Sequence, residues 1–480
     1  MSDENKLKLF NTLTREKEEF KPIEEGKVRF YSCGQTIYDD LHIGNARAYV
    51  VWDTLRRYLE YKGYTVRHVQ NITDVGHLTD DGDQGEDKVE KRAKEMGLEP
   101  MELVEDQIER YFKDTKALNI ERQDIVPRAT GHINEMIEYV QKIIDNGYAY
   151  EVDGNIYFDV EKFAEDYPYG EMANKDLEQL KEEAQSRVEE DDKKKNQYDF
   201  ALWLNAEGTG HAMKWTAKFE IDGELVKSVG YPGWHLECSV MSQKYLGDEF
   251  DIHAGGKDHI FPHHPNERAQ AFAASGEGQA RYWIHNEFIQ VEGEKMSKSE
   301  GNFYTVRELL EDYSGDAIRL YLLSSHYRSE TDFSKKGLEK AEKELKRARR
   351  LVQKTGVPVT DDIDENMKEH FEDLMDDDMG TAQAKQYLME TVSNLNSVYE
   401  NEHKLNPEVV NGVIQLFRIL GVDVVPKISD EESGMADLLL ELRDEAREEE
   451  DWEKSDYIRD SLQEIGFEIE DTDDGSKWLK

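Results

Sequence analysis

The chain has 480 residues, and its 61 Lys and Arg against 105 Asp and Glu give a net charge of −44. This length predicts roughly three domains of about 150 residues each and excludes a small module held together by disulfides. Apolar residues make up 38% of the sequence, which excludes a globally disordered chain. Because so many acidic side chains repel one another unless ions screen them, we expect a cytoplasm of high salt.

The cysteine content and the hydropathy pattern indicate the cellular compartment in which the protein is expected. The sequence holds two cysteines, Cys33 and Cys238, too few for a disulfide framework and typical of a reducing environment. Residues 1–20 lack the apolar region of a secretory signal, and no run of about 18 apolar residues occurs. We therefore expect a soluble, cytoplasmic protein that does not contact a membrane.

The first predicted elements are a strand, a helix and a second strand within about 45 residues. Residues 26–32 are typical of a short buried strand, and residues 65–75 of another. Between them, a helix should begin near Gly44 and stop at Gly63, because apolar residues recur there at helical spacing. This order predicts a parallel unit with a right-handed crossover.

A second α/β set follows about 140 residues downstream. It consists of helix 235–247, strand 249–256, helix 265–275 and strand 282–293. The intervening region mixes helical and tyrosine-rich extended segments, and beyond residue 335 the pattern is almost wholly helical. We predict an α/β Rossmann-like catalytic domain with a parallel sheet, split by an insertion and followed by an all-α carboxyl-terminal region. The predicted boundaries are 1–124, 125–228, 229–292, 293–338, 339–425 and 426–480.

Four side chains distant in sequence are candidate metal ligands. Cys33 follows a strand of the first half, and the stretch DHIFPHHPNERA follows a strand of the second half. In an open parallel sheet both positions face one crevice at the carboxyl ends of the strands. His263 and Glu267 flank the start of a helix that we expect to begin at Pro265. With Cys33 and Cys238 they make a set of two sulfurs, a nitrogen and an oxygen that suits zinc.

This spacing alone leaves other interpretations open. A single cysteine is more often a small buried apolar residue than a ligand. A lone histidine is more often structural or exposed. We expect His264, beside His263, to point away from the cluster.

Two further stretches are candidates for binding phosphate. LHIGNAR, residues 41–47, joins the first strand to its helix, where backbone donors and the helix dipole can hold an anion. GEKMSKSEGN, residues 293–302, places Lys295 and Lys298 in a glycine-flanked loop suited to a mobile cationic clamp. The alternative is that this segment is an ordinary solvated loop.

With these stretches in order, the sequence resembles the cysteinyl-tRNA synthetases, a family of class I aminoacyl-tRNA synthetases. The resemblance covers nearly the whole chain. It is carried by the blocks YSCGQTIYDDLHIGNAR, HVQNITDV, PGWHLECSVM, FDIHAGGKDHIFPHHPNERAQ, KMSKSEGNF and DWEKSDYIRDSLQEIGFEIED. It implies that residues 125–228 are a connective-peptide insertion, that 293–338 hold the KMSKS loop and a stem-contact region, and that 426–480 bind the anticodon.

The resemblance also implies the chemistry. One Zn²⁺ per chain would be held by Cys33, Cys238, His263 and Glu267 and would recognise the sulfur of L-cysteine. ATP, with Mg²⁺, would activate the amino acid as cysteinyl-adenylate before its transfer to tRNA(Cys). We expect a monomer.

The remaining site residues follow from matching the family's motifs. His42 and Asn45 resemble the HIGH signature, with Asn in place of its last His, and they would act on the ATP phosphates with Lys295 and Lys298. Nucleotide contacts would come from Gly44, Asp258 and Lys298, and substrate contacts from Thr36, Trp234 and His253.

Two alternatives and one difficulty remain. A related ligase could join cysteine to an amino sugar, or the chain could be a zinc-stabilised RNA-binding protein without catalysis. An acidic chain is also an unusual partner for RNA. Residues 335–354, which hold nine cations against three glutamates, are our candidate for a tRNA-facing strip.

Overall fold

The computed structural model describes residues 6–75, 78, 86–176, 178–179, 193–291, 293–295, 303–426, 429–472 and 475–479. The chain divides into two compact units. The first comprises Met1–Asp312, Ser325–Ser334 and Asp376–Met379, and the second comprises Tyr313–Ser324, Lys335–Met375 and Gly380–Lys480. The finer division into six segments stays a prediction.

The strands of the described residues fall into several sheets. Their bounds are β1 Lys8–Asn11, β2 Glu16–Glu19, β3 Lys27–Thr36, β4 Thr65–Thr73, β5 Ala149–Val152, β6 Asn155–Phe158, β7 Phe200–Asn205, β8 Trp215–Ile221, β9 Glu224–Pro232, β10 Glu249–Gly256, β11 Gln279–Asn286, β12 Ile289–Val291, β13 Glu294–Lys295, β14 Thr331–Phe333, β15 Glu468–Thr472 and β16 Gly475–Leu479.

The α-helices of the described residues are numbered in the same way. Their bounds are α1 Ile43–Tyr61, α2 Lys88–Met96, α3 Pro100–Ala117, α4 Ile133–Asp145, α5 Val160–Asp166, α6 Trp234–Leu246, α7 His263–Ser275, α8 Val306–Asp312, α9 Gly315–Leu322, α10 Lys335–Thr355, α11 Glu365–Asp376, α12 Thr381–Glu402, α13 Pro407–Ile419, α14 Asp430–Glu448 and α15 Trp452–Glu464.

A parallel sheet forms the centre of the first unit. Its strand order is β11-β10-β3-β4, so β10 from the second half of the sequence pairs with β3 from the first. Helix α1 makes the crossover from β3 to β4, and its apolar stripe is buried. The two predicted α/β halves therefore meet in one sheet, and the predicted Rossmann-like class is confirmed.

The segment between the two halves contains an antiparallel sheet of order β5-β6-β7-β9-β8. Phe158, Trp203 and Phe219 from its strands are completely buried. Tyr150, Tyr157 and Tyr231 of the tyrosine-rich segments lie in β5, β6 and β9 of this sheet and are buried.

The second unit is mainly helical, as the sequence predicted. Its carboxyl-terminal part packs a small apolar cluster of residues from α14, α15 and the segment that follows, namely Ala436, Leu440, Ile458, Leu462 and Phe467. The unit ends in an antiparallel pair, β15 and β16, that the helical periodicity did not predict.

Two element bounds near the candidate ligands differ from the sequence expectation. Strand β3 runs on to Thr36, so Cys33 lies within it and not after it. Helix α7 begins at His263, which makes Pro265 its third residue. Proline is tolerated in a first turn because the backbone N–H groups there have no partner within the helix. No helix among the described residues is long and apolar enough to cross a membrane.

Candidate metal centre and nucleotide site

The four predicted ligands converge on one buried point. One ligand atom from each of Cys33, Cys238, His263 and Glu267 lies within 4.8 Å of the others. The two Sγ atoms are 4.0 Å apart, and Oε1 of Glu267 lies 3.9 Å from Sγ of Cys33 and 3.1 Å from Nε2 of His263. These donors fit a tetrahedral zinc site, where bonds of about 2.3 Å to sulfur place two sulfurs about 3.8 Å apart.

Local structure aims each of these side chains inward. Cys33 lies where the pairing of β3 with β4 shifts register between Ser32 and Gln35, an irregularity that redirects side chains next to functional sites. The backbones approach so closely there that a Cβ on Gly34 would lie 1.6 Å from the carbonyl oxygen of Asn71. His263 and Glu267 are four residues apart on α7 and therefore share a face.

In His263 and Glu267, the side-chain atom that points away from the cluster has its own partner, which leaves the atom that faces the cluster available to a cation. Nδ1 of His263 lies 2.9 Å from Nδ1 of His235, while its buried Nε2 faces the other three candidate ligands and lies 3.1 Å from Oε1 of Glu267. Oε2 of Glu267 is 2.8 Å from Nε2 of His253 and 3.1 Å from Nε2 of Gln279. Partners that occupy the far atom of a ligand in this way orient it toward a metal.

A second group of possible ligands overlaps the first. Cys33, His253, His264 and Glu267 also lie within 4.8 Å of one another. However, Nε2 of His253 already hydrogen-bonds to Glu267, and Nε2 of His264 lies 3.2 Å from Sγ of Cys33, with Nδ1 2.8 Å from His285. We take the first group as the candidate centre because it contains both cysteines, whose thiolates are favoured zinc ligands.

The expectation that His264 points away was wrong. Its ring nitrogen lies against Cys33 because His263 and His264 precede Glu267 by four and three residues, so both flank that carboxylate on α7.

The four candidate ligands have strongly perturbed pKa values. A hydrogen bond from Cys33 lowers the pKa of the Cys238 thiol to about 6, although burial opposes it. Burial would lower the pKa of His263, but its bonds to Cys238 and Glu267 raise it to about 10. Burial opposes ionisation of Glu267, yet the charges and hydrogen bonds of His253 and His263 lower its pKa. Burial, together with Cys238, raises the pKa of Cys33.

The HIGN segment contacts the chain that follows KMSKS. His42 caps α1, with its Nδ1 3.4 Å from the backbone N of Asn45, and forms an antiparallel bridge with Thr305. The amide of Ile43 donates to the carbonyl of Tyr304 at 3.0 Å. Burial lowers the pKa of His42 to about 4, with the charge of Asp258 opposing the shift. His42 is therefore neutral at pH 7.

The KMSKS segment is described in part. Lys295 ends β13, where it pairs with Gln290 of β12, and its backbone alone is described. Lys298 lies outside the described residues.

The other predicted contacts line the carboxyl end of the same sheet. Thr36 is the last residue of β3, and half-buried Gly44 lies in the first turn of α1. The ring of Trp234, at the start of α6, lies 4.6 Å from that of His263. Asp258 is exposed in a short 3₁₀ turn directly after β10. The roles proposed for these residues stay predictions.

Three residues were not predicted from the sequence: His235 and Gln279, which contact the candidate ligands His263 and Glu267, and the buried Arg47. The guanidinium of Arg47 donates to the carbonyls of Glu287, Phe288, His326 and Ser329 and to Ser325 Oγ at 2.8–3.2 Å. It thereby ties α1 to the residues preceding β12 and β14. The position of Arg47 two residues after the HIGN segment was the one sequence signal that could have indicated a special role for it.

The sequence is similar to protein families whose members are class I tRNA synthetases. Residues 19–343 match the family described as tRNA synthetases class I (C) catalytic domain, residues 370–424 a DALR domain, and residues 429–478 a cysteinyl-tRNA ligase anticodon binding domain. A cysteine–tRNA ligase of Carboxydothermus hydrogenoformans is 44% identical over 491 residues, covering 99% of this chain and 100% of that one. The chain belongs to the cysteine–tRNA ligase family.

Other similarities extend this family assignment. The cysteine–tRNA ligase of Thermus thermophilus is 44% identical over 499 residues, with 98% of this chain and 99% of that one covered. Among solved structures, Mycobacterium tuberculosis methionyl-tRNA synthetase in complex with methionyl-adenylate has a TM-score of 0.56 at 15% identity and covers 86% of this chain and 94% of that one. At this identity the likeness shows the class I fold alone.

Proposed function

We propose that this chain ligates L-cysteine to tRNA(Cys) in an ATP-dependent reaction that passes through a cysteinyl-adenylate. The carboxylate of cysteine attacks the α-phosphorus of ATP and pyrophosphate leaves, with Mg²⁺ present. The 2′ hydroxyl of the terminal ribose of the tRNA then attacks the cysteinyl carbonyl, as in class I enzymes, and AMP leaves. The observation that carries the proposal is the convergence of two cysteines, a histidine and a glutamate in a chain of this family.

We propose that the four converging side chains hold Zn²⁺. When bound, zinc supplies a coordination position for the thiolate of cysteine, which a harder hydroxyl such as that of serine fills poorly at neutral pH. The softness of the donor set supports zinc over magnesium or calcium, because two of its four atoms are sulfurs. Recognition by the substrate's own sulfur would make a separate editing site unnecessary.

The side chains of this chain then bind and orient the substrate. The ring of Trp234 contacts His263 and would wall the cysteine pocket. Thr36 at the end of β3 would contact the amino acid, and exposed Asp258 would reach the ribose of ATP. His253 is better suited to holding Glu267 than to contacting substrate, because its Nε2 already bonds to that carboxylate.

ATP would bind where the first turn of α1 meets the segment after KMSKS. The N-terminus of α1 offers backbone donors and a positive dipole end to phosphate. Neutral His42 would donate a hydrogen bond to a phosphate and would not add charge. We assign the charge stabilisation to Lys298, supported by Lys295, in agreement with their position in the motif.

tRNA binding by so acidic a chain requires a local cationic surface. On α10, Lys336, Lys340, Lys343 and Arg347 are exposed and follow a spacing of four, three and four residues, which places them on one face. Lys340 also pairs with Glu344 at 3.7 Å, whereas the cations near the end of α10, Arg349, Arg350 and Lys354, pair with Asp316, Glu468 and Glu470. We propose that the first four residues, named here the α10 stripe, contact phosphates of the tRNA.

An acceptor assay tests this function. Purified chain with labelled cysteine and ATP is expected to charge tRNA(Cys) and to leave an amino-sugar acceptor unmodified. Transfer to the amino sugar alone would contradict the proposal. An absence of cysteine-dependent exchange between ATP and pyrophosphate would favour a non-catalytic RNA-binding protein. A cytoplasmic, monomeric state completes the proposal, and sedimentation of the purified chain tests the monomer.

A further inference from the structure

Gln279, the first residue of β11, combines two unfavourable features in a buried position. Its backbone φ is 72°, in the left-handed region that side chains other than glycine and asparagine rarely adopt. Its side chain is 2% exposed, and its Oε1 has no hydrogen-bond partner among the described residues. Such features cluster at functional sites, where the surrounding structure maintains them.

The amide nitrogen of Gln279 contacts the outer oxygen of the candidate ligand Glu267. Nε2 lies 3.1 Å from Oε2 of Glu267 and 3.0 Å from Oγ of Ser242. The Ser242 hydroxyl donates to the carbonyl of Ser239, so its oxygen accepts from Gln279. Both neighbours are therefore acceptors, and a reversed amide would set an oxygen against a carboxylate. Nε2 must be the atom that faces Glu267.

Glu267 consequently has unequal oxygens. Its Oε2 accepts from Gln279 and from His253, while its Oε1 faces Cys33 and His263. A carboxylate with one oxygen held by two donors cannot rotate freely, so its other oxygen stays directed at the candidate centre. This restriction lowers the entropic cost of forming the centre when a cation binds.

We propose that Gln279 is a positioning residue that orients Glu267 and thereby sets the affinity of the centre for zinc. Its uncharged amide donates whatever the protonation of the neighbouring histidines. Gln279 does not itself touch substrate or metal. The inference rests on the zinc site proposed above.

Zinc titration of metal-free protein against a chelating indicator tests this role without any activity measurement. Gln279→Met keeps the side-chain volume and removes the donor. Gln279→Asn suits the left-handed backbone but is too short to reach Glu267. Both variants are expected to weaken zinc binding about 10- to 100-fold, as removal of a residue that orients a metal ligand does.

The matched control is Gln270→Met, on the same helix as Glu267. Gln270 is completely buried and accepts from Ser239 at 2.6 Å, and its Nε2 has no hydrogen-bond partner among the described residues. Its loss is expected to lower the melting temperature of metal-free protein and to leave zinc affinity within about twofold of the parent. Parental zinc affinity in either Gln279 variant, or an equal loss in Gln270→Met, would overturn the inference. A parent that binds no zinc would instead overturn the proposed zinc site.

Discussion

The Sγ atom of Cys33 lies 4.0 Å from that of Cys238, although the two residues are 205 positions apart in the chain. This distance is about twice the length of a disulfide bond and close to the separation of two sulfurs on one zinc ion. Two strands and a helix from both halves of the sequence are needed to create it, because β3 carries Cys33, α6 carries Cys238, and β10 joins the halves.

Zinc binding should release protons. At pH 8, Cys238 with a pKa of about 6 is already a thiolate, whereas His263 with a pKa of about 10 and Cys33 with a raised pKa keep their protons. A bound cation needs both sulfurs deprotonated and His263 neutral, so about two protons leave. Calorimetry in buffers of different ionisation enthalpy measures this number.

The sign of the pH dependence follows from the same groups. Because protons compete with the cation, the affinity for zinc should rise with pH by about two decades per unit around neutrality and flatten as His263 and Cys33 lose their protons. A pH-independent affinity between pH 7 and pH 8 would contradict the protonation states assigned to Cys33 and His263.

Removal of the buried Arg47 should destabilise the first unit. Arg47→Gln removes the buried guanidinium that donates five hydrogen bonds, so the free energy of unfolding should fall by about 3 kcal/mol. Denaturant titration measures it. Exposed Arg67, on β4, is the control, and Arg67→Gln should change the free energy of unfolding by less than about 0.5 kcal/mol. Equal effects of the two variants would contradict the role of Arg47.

Substitutions in the α10 stripe should impair tRNA binding and leave the formation of cysteinyl-adenylate unchanged. Lys340→Glu with Lys343→Glu should raise the KM for tRNA and lower the salt slope of tRNA binding by about one for each phosphate that is no longer neutralised. Cysteine-dependent exchange between ATP and pyrophosphate should not change. Lys368→Glu with Lys404→Glu, outside α10, makes the same charge change and should have little effect. An equal defect in this control would mean that net charge, not the stripe, determines binding.

The net charge of −44 predicts that salt stabilises the chain. In molar KCl the mutual repulsion of the acidic side chains is screened, so the melting temperature should be several degrees higher than in dilute buffer. Differential scanning calorimetry at several KCl concentrations measures the change. An unchanged melting temperature would remove the hypothesis of a halophilic cytoplasm.

The sequence predicted the parts of this fold that repeat a local pattern. The strand, helix and strand around α1 follow from apolar spacing, and the split sheet follows from a second such set. Strands β15 and β16 escaped prediction because EIEDT and GSKWL are short and largely polar. The start of α7 was misplaced by two residues because Pro265 was given the first helical position and occupies the third.

The residues of the candidate site likewise include some that could be predicted from the sequence and some that could not. The convergence of Cys33, Cys238, His263 and Glu267 could be predicted because their residue types limit what they can bind and the motif order supplies the pairing, and their role as ligands stays a prediction. His235 and Gln279 could not, because the contacts that place them beside His263 and Glu267 form only in the folded chain. His264 was misjudged because residues three and four positions before Glu267 both flank it once α7 forms.

The most direct test is metal analysis of the purified chain together with tRNA charging before and after zinc removal, with Glu267→Gln beside the parent. We expect one zinc per parent chain, loss of charging on zinc removal, recovery on its re-addition, and little zinc in Glu267→Gln. Parent chain that holds no zinc and still charges tRNA(Cys) at full rate would contradict it.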